Sequence, residues 1–166
     1  MGACCSRAVV LPAVSTGPKA GVELTADELV ELITQQTKLK SSRVMVADKK
    51  YFTYTMAELK EFVASDNTDT YKYIPEQFDC DDFSLVLAGR EKLWSNRVIK
   101  QRIRGRCGSA FGICWGDIRM DEASVVPHPH AVCCFVDITG VFWLIEPQAD
   151  LIYRPTANST FWFVWM

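Results

Sequence analysis

The sequence predicts an α+β fold, with helices in the N-terminal half packed on an antiparallel sheet built from the C-terminal half. Three observations predict it. Two stretches open with capping-box spacing, a third amphipathic stretch begins at Cys80, and four runs rich in β-branched and aromatic residues follow. Helical segments grouped ahead of strand segments give the segregated arrangement of an α+β protein.

The first helix is "TADELVELITQQ" (25–36), where Thr25 and Glu28 have capping-box spacing and Leu29, Leu32 and Ile33 share a face. "RVMVADKKYFTYT" (43–55) reads as one or two short strands around Asp48, Lys49 and Lys50. Thr55 and Glu58 repeat the capping signature, which predicts a helix over 56–65. A polar loop, "SDNTDT" (65–70), follows, and Pro75 breaks the chain ahead of the third helix. That helix, 80–94, sets Phe83, Val86, Leu87, Leu93 and Trp94 on one side and Arg90, Glu91 and Lys92 on the other. Strands are expected at 109–118, 130–138, 141–147 and 160–165. Thr139 and Gly140 predict a two-residue hairpin turn between the second and third of these, with positions summing to 279 paired across it.

At 166 residues the chain suits one domain with a real core, and its charge of −2 gives no reason to expect nucleic acid as a partner. No apolar run reaches the roughly 18–20 residues that span a bilayer. The seven cysteines form two adjacent pairs (Cys4–Cys5 and Cys133–Cys134) plus Cys80, Cys107 and Cys114. The absence of a CxxC knuckle and the presence of only two histidines argue against structural zinc. Without a long apolar run at the N-terminus, the thiols are expected to be reduced and the compartment cytosolic-facing. Cys107, Cys114, Cys133 and Cys134 read as core residues.

The opening "MGACCSRAVVLP" carries Gly2 and Ser6 in the N-myristoylation pattern, with Cys4 and Cys5 where palmitoyl groups follow. Two acyl groups anchor stably where one does not. Residues 1–22 are therefore expected to be an acylated anchor and spacer at the cytoplasmic face of a membrane, and 23–166 the folded domain.

Nucleophilic catalysis by cysteine needs a thiol, an imidazole to take its proton and a polar group to orient the imidazole. Cys80 opens a helix, whose free N–H groups and dipole favour a thiolate and an oxyanion. His130 leads into a strand, whereas His128 lies between Pro127 and Pro129. Glu146 and Gln148 alternate onto one face of the next strand, and either can orient His130. Gln77, three residues before Cys80, is a candidate oxyanion donor. Asp79 and Asp82 stand at the N-cap and N3 positions of the helix.

The blocks "FDCDDFS", "HAV" and "IEPQ" resemble the cysteine-protease domain of the Marasmius oreades agglutinin family, over roughly residues 40–150. The family's sugar-binding β-trefoil has no counterpart here. The resemblance implies a papain-like, calcium-dependent fold with Cys80 as nucleophile, His130 as general base and Glu146 as orienting acid. Bound Ca2+ would offset the acids beside Cys80, with Asp82 the foremost ligand, Asp79 beside it and the "DNTD" loop (66–69) a lesser contributor. The function so implied is a membrane-tethered cysteine peptidase acting on protein or peptide. The alternatives are an acyltransferase or transglutaminase-like enzyme using the same triad, and a non-catalytic binding module on the same fold.

Overall fold

The computed structural model describes residues 22–98, 107–119 and 128–166. Gly2, Cys4, Cys5 and nearly all of the expected anchor, 1–22, lie outside the described residues. Among the described residues no helix is long and apolar enough to cross a membrane.

The chain runs β1 (Glu23–Thr25), α1 (Ala26–Thr37), β2 (Val44–Met45), β3 (Lys50–Phe52), α2 (Met56–Ser65), α3 (Cys80–Val98), β4 (Gly108–Ser109), β5 (Phe111–Asp117), β6 (Pro129–Val136), β7 (Phe142–Glu146), β8 (Leu151–Tyr153) and β9 (Thr160–Trp165). Both capping boxes form: Thr25 and Thr55 each accept from the N3 backbone N–H, and Glu28 and Glu58 reach back to the cap N–H.

The strands build a six-stranded sheet, ordered β2-β9-β5-β6-β7-β8, and a three-stranded sheet, ordered β1-β3-β4. This corrects the expected fold class. Helices do not simply precede an antiparallel sheet: β1 comes before α1, and β2 and β3 lie between helices. β2 pairs with β9 and β3 with β4, both in parallel, so N-terminal segments complete both sheets. Strands of two or three residues show no periodicity of their own and are fixed by partners far along the chain.

Two cores flank the larger sheet. Leu29 and Ile33 of α1 pack with Val132, Cys134, Leu144 and Val164. Leu59 and Phe62 of α2 and Leu87 of α3 pack with Phe111, Cys133, Phe135 and Ile145. Cys114, Cys133 and Cys134 are wholly buried, and burial pushes the Cys114 and Cys133 thiols well above their ordinary range. β9 lies against β5 at two glycines, where a Cβ on Gly112 would stand 1.9 Å from the Trp165 carbonyl oxygen and one on Gly116 2.2 Å from that of Thr160.

Two local expectations are corrected. Glu91 is not on a solvated face but fully buried, one turn beyond Leu87 on the face that meets the sheets. The hairpin register is 278, not 279, since Cys134 pairs with Leu144 and Val136 with Phe142. Asp137 causes the shift. Its Oδ1 accepts from the Thr139 N–H at 2.8 Å, the Thr139 hydroxyl at 2.6 Å and the Val141 N–H at 3.0 Å, drawing Ile138 into a three-residue turn closed by Gly140 at φ 79°.

Candidate functional site

The corrected register determines what faces what at the end of β6. A one-residue slip in a hairpin exchanges the faces of every side chain on one strand relative to the other. With Leu144 opposite Cys134, the even-numbered residues of β6 and β7 share a face, and Glu146 falls opposite Val132, two residues from His130. Glu146 and Gln148 therefore do not play equal parts. His130 Nε2 meets Glu146 Oε2 at 2.6 Å, while Gln148 donates its backbone N–H to Glu146 Oε1 at 3.2 Å. The Glu146 side chain is 3 % exposed and that of His130 19 %, so an almost sealed carboxylate fixes a ring that keeps one edge toward solvent.

Cys80 is the first residue of α3, reached through a turn closed by Ile74 and Phe78. Asp79 precedes it as the cap: its carbonyl accepts the Phe83 N–H, and its own N–H donates to Asp82 Oδ2 at 3.2 Å. The half-buried thiol lies against the backbone of Ala131, the residue after His130. No hydrogen bond joins the thiol to the imidazole among the described residues. Burial pushes the thiol above its ordinary range, and the charges of Asp79 and Asp81 push the same way, against the lowering contact from Ala131. A reactive cysteine sits in positive surroundings; this one sits in negative ones.

The Asp79 and Asp81 carboxyls lie side by side at the helix start. Contact between them lowers the Asp79 pKa and raises that of Asp81, which burial raises further. Ligand atoms of Asp79, Cys80 and Asp81 lie within 4.8 Å of one another, and Asp82, engaged in the cap, is not in the group. Ca2+ takes about 6–8 oxygen ligands, so a cation held by these two carboxylates would draw its remaining ligands from backbone carbonyls or water. In the 66–69 loop Asp66 accepts from the Thr68 N–H at 2.7 Å and pairs with Arg90 at 3.1 Å, while Asn67 and Asp69 are exposed. Gln77 is exposed, with no side-chain hydrogen bond among the described residues, and His128 is exposed as well.

Sequence reasoning set Asp81 among the acids crowding Cys80 without giving it a role, and missed Tyr73. The Tyr73 ring is 48 % exposed, and its phenol is pushed up by partial burial and by the charges of Asp79, Cys80 and Glu76. The aromatic residues of "TYKYIPEQ", standing just ahead of a helix start, were the available signal.

No family model and no curated protein matches the chain. Ten chains of solved structures match it in fold. One is described as a PSL1a–E64 complex, with a TM-score of 0.68 and 18 % identity, covering 87 % of this chain and 51 % of that one. Another is the Polyporus squamosus lectin bound to the human-type influenza-binding epitope Neu5Aca2-6Galb1-4GlcNAc, with a TM-score of 0.67 and 18 % identity, covering 87 % and 49 %. The chain thus spans about half the length of these two structures, and at this identity the likeness is one of fold.

These findings overturn the assignment that rested on three short blocks. One of these structures is named for a lectin, and neither description names a protease domain. Recognition of the chain as an agglutinin-family protease domain, its papain-like label and its assignment as a cysteine peptidase are corrected accordingly. The hydrolase and thiol-protease descriptions are corrected with it.

Proposed function

We propose that the chain is a non-catalytic binding module that takes a hydroxyl-rich, carbohydrate-like ligand at the mouth of α3. One observation carries the reading: the His130 imidazole is held by a sealed carboxylate, while Asp79 and Asp81 crowd a half-buried Cys80 thiol that no hydrogen bond joins to that imidazole among the described residues. Such a mouth is rich in hydrogen-bonding groups and poor in nucleophile. Sugar hydroxyls both donate and accept, which suits the Asp79–Asp81 pair and the open edge of His130. The Tyr73 ring offers an apolar face with a polar rim. The likeness in fold to a lectin described with a bound sialylated glycan supports the ligand class.

Calorimetric titration with Neu5Aca2-6Galb1-4GlcNAc and a panel of neutral glycans tests it. At least one glycan is expected to bind, with Tyr73→Ala weakening it about fivefold, equivalent to about 1 kcal/mol. Cys80→Ala should leave binding intact. Absence of binding across the panel overturns the reading, as does turnover of a peptide or protein that Cys80→Ala abolishes.

A further inference from the structure

The larger sheet carries an apolar strip at its β2 end. Val44 and Val164 pair across β2 and β9 and belong to the core beneath α1, so Met45 and Trp165, the next pair, point to the opposite face. Ile113, opposite Trp165 on β5, is buried, whereas Met45 is 54 % exposed and Trp165 42 %. Phe163, two residues before Trp165 on the same face, is half-buried, with its ring 5.8 Å from that of Trp115. Trp162 is the extra residue of a β-bulge, skipped between the Trp115–Phe163 and Gly116–Phe161 pairs, and is 43 % exposed. The chain enters β2 from a cationic segment. Between Glu31 and Asp48 it carries Lys38, Lys40 and Arg43 and no acid. All three cations are exposed, and none pairs with an acid among the described residues. Arg43 ends the 3-10 turn Ser41–Arg43, which leads directly into β2. On β2, β5 and β9 the only acid is Asp117, at the end of β5 away from Met45.

We propose that this strip docks on an anionic membrane surface, with Met45, Trp162 and Trp165 entering the headgroup boundary and Lys38, Lys40 and Arg43 resting on the lipid phosphates and carboxylates. Indole suits that boundary, because its body is apolar and its N–H finds a partner among headgroups and water. A narrow apolar strip flanked by charge of one sign is the arrangement of a contact that lies on a bilayer and does not cross it. The charge complementarity selects anionic lipid over a neutral surface. Each cation gains from the negative potential of such a leaflet, and the gain fades within a Debye length, so the contact weakens as salt is raised. The strip is carried by paired strands, so docking asks for no refolding. Gly2, Cys4 and Cys5 predict a separate acyl anchor, and a folded basic and aromatic face is the kind of second signal that one acyl chain needs.

Co-sedimentation of the full, unacylated chain with vesicles tests the docking face. One set of vesicles is pure phosphatidylcholine, and the other contains about 30 % phosphatidylserine. The protein is expected to sediment with the second set only, to release as salt is raised, and to shift its tryptophan emission to shorter wavelength on binding. The double variant Trp162→Ser/Trp165→Ser should bind about tenfold more weakly, and so should the triple variant Lys38→Gln/Lys40→Gln/Arg43→Gln. Should the tryptophan variant fail to fold, Met45→Glu, at the most exposed of these side chains, must weaken binding in its place. Absence of binding to both vesicle types overturns the proposal, as does equal binding to both. Binding that none of the variants moves overturns it too, because the contact then lies elsewhere on the chain. Self-association that the tryptophan variant abolishes, without vesicle binding, assigns the strip to a second copy and likewise overturns it.

Discussion

Cys80 shows how neighbours decide what a functional group does. Its place at a helix start was legible from the cap, the acids and the apolar spacing. Its protonation was not, because that depends on Ala131 and on a carboxyl pair whose geometry only folding creates. Alkylation of Cys80 by iodoacetamide, followed by peptide mass spectrometry against pH, should show a midpoint above that of a free cysteine. Asp81→Asn, which removes one of the acids, should move it down and speed the reaction at pH 7. His130 was legible as the strand-leading histidine, yet its partner was not, since Glu146 and Gln148 stood equal until the register was known. Glu146→Ala leaves a half-buried ring without its carboxylate and is expected to cost about 2 kcal/mol in urea unfolding. Glu91 was misread because a charged triplet in a helix looks like a solvated face, whereas the helix here is covered on more than one side.

At the level of elements, capping chemistry was written plainly in the sequence and hairpin chemistry only half so. Thr25 and Thr55 form the boxes that their spacing announced, and Thr25→Ala or Thr55→Ala should each lower stability by about 1 kcal/mol. Thr139 and Gly140 did mark a turn between β6 and β7. What they could not reveal is that Asp137 captures the two following donors and adds a residue to the loop. The other carboxylate oxygen of Asp137 accepts the Trp143 indole N–H at 2.8 Å, which ties the turn to β7. Asp137→Ala removes all of these acceptors at once and is expected to cost about 2–3 kcal/mol, with β6 and β7 amides exchanging faster by NMR. Asp137→Asn should recover part of that loss, because an amide oxygen still accepts.

For the molecule as a whole, sequence patterning locates segments but not their long-range marriages. The runs that became β5, β6, β7 and β9 were visible as strands, as was the 43–55 stretch that became β2 and β3, while β1 and β4 were too short to register. Those short strands connect the N-terminal half to the C-terminal half, and they convert a simple succession of helices and sheet into two mixed sheets. The closest joint is between β5 and β9, where Gly112 gives way to a backbone carbonyl. Gly112→Ala should force β9 outward and destabilise by about 3 kcal/mol, read as a lowered urea midpoint with an unchanged slope. Three short blocks of likeness carried a reading of activity that the fold comparison did not sustain, because local motifs report chemistry available to a chain and not the use it makes of it.

Cys114, Cys133 and Cys134 sit side by side in the middle strands, screened from any reagent while the sheet stays closed. They make the protein its own clock. A bulky disulfide dye can tag them only when the central strands part, so the slow phase of tagging reports the rate of rare openings, with no engineered cysteine and no denaturant needed.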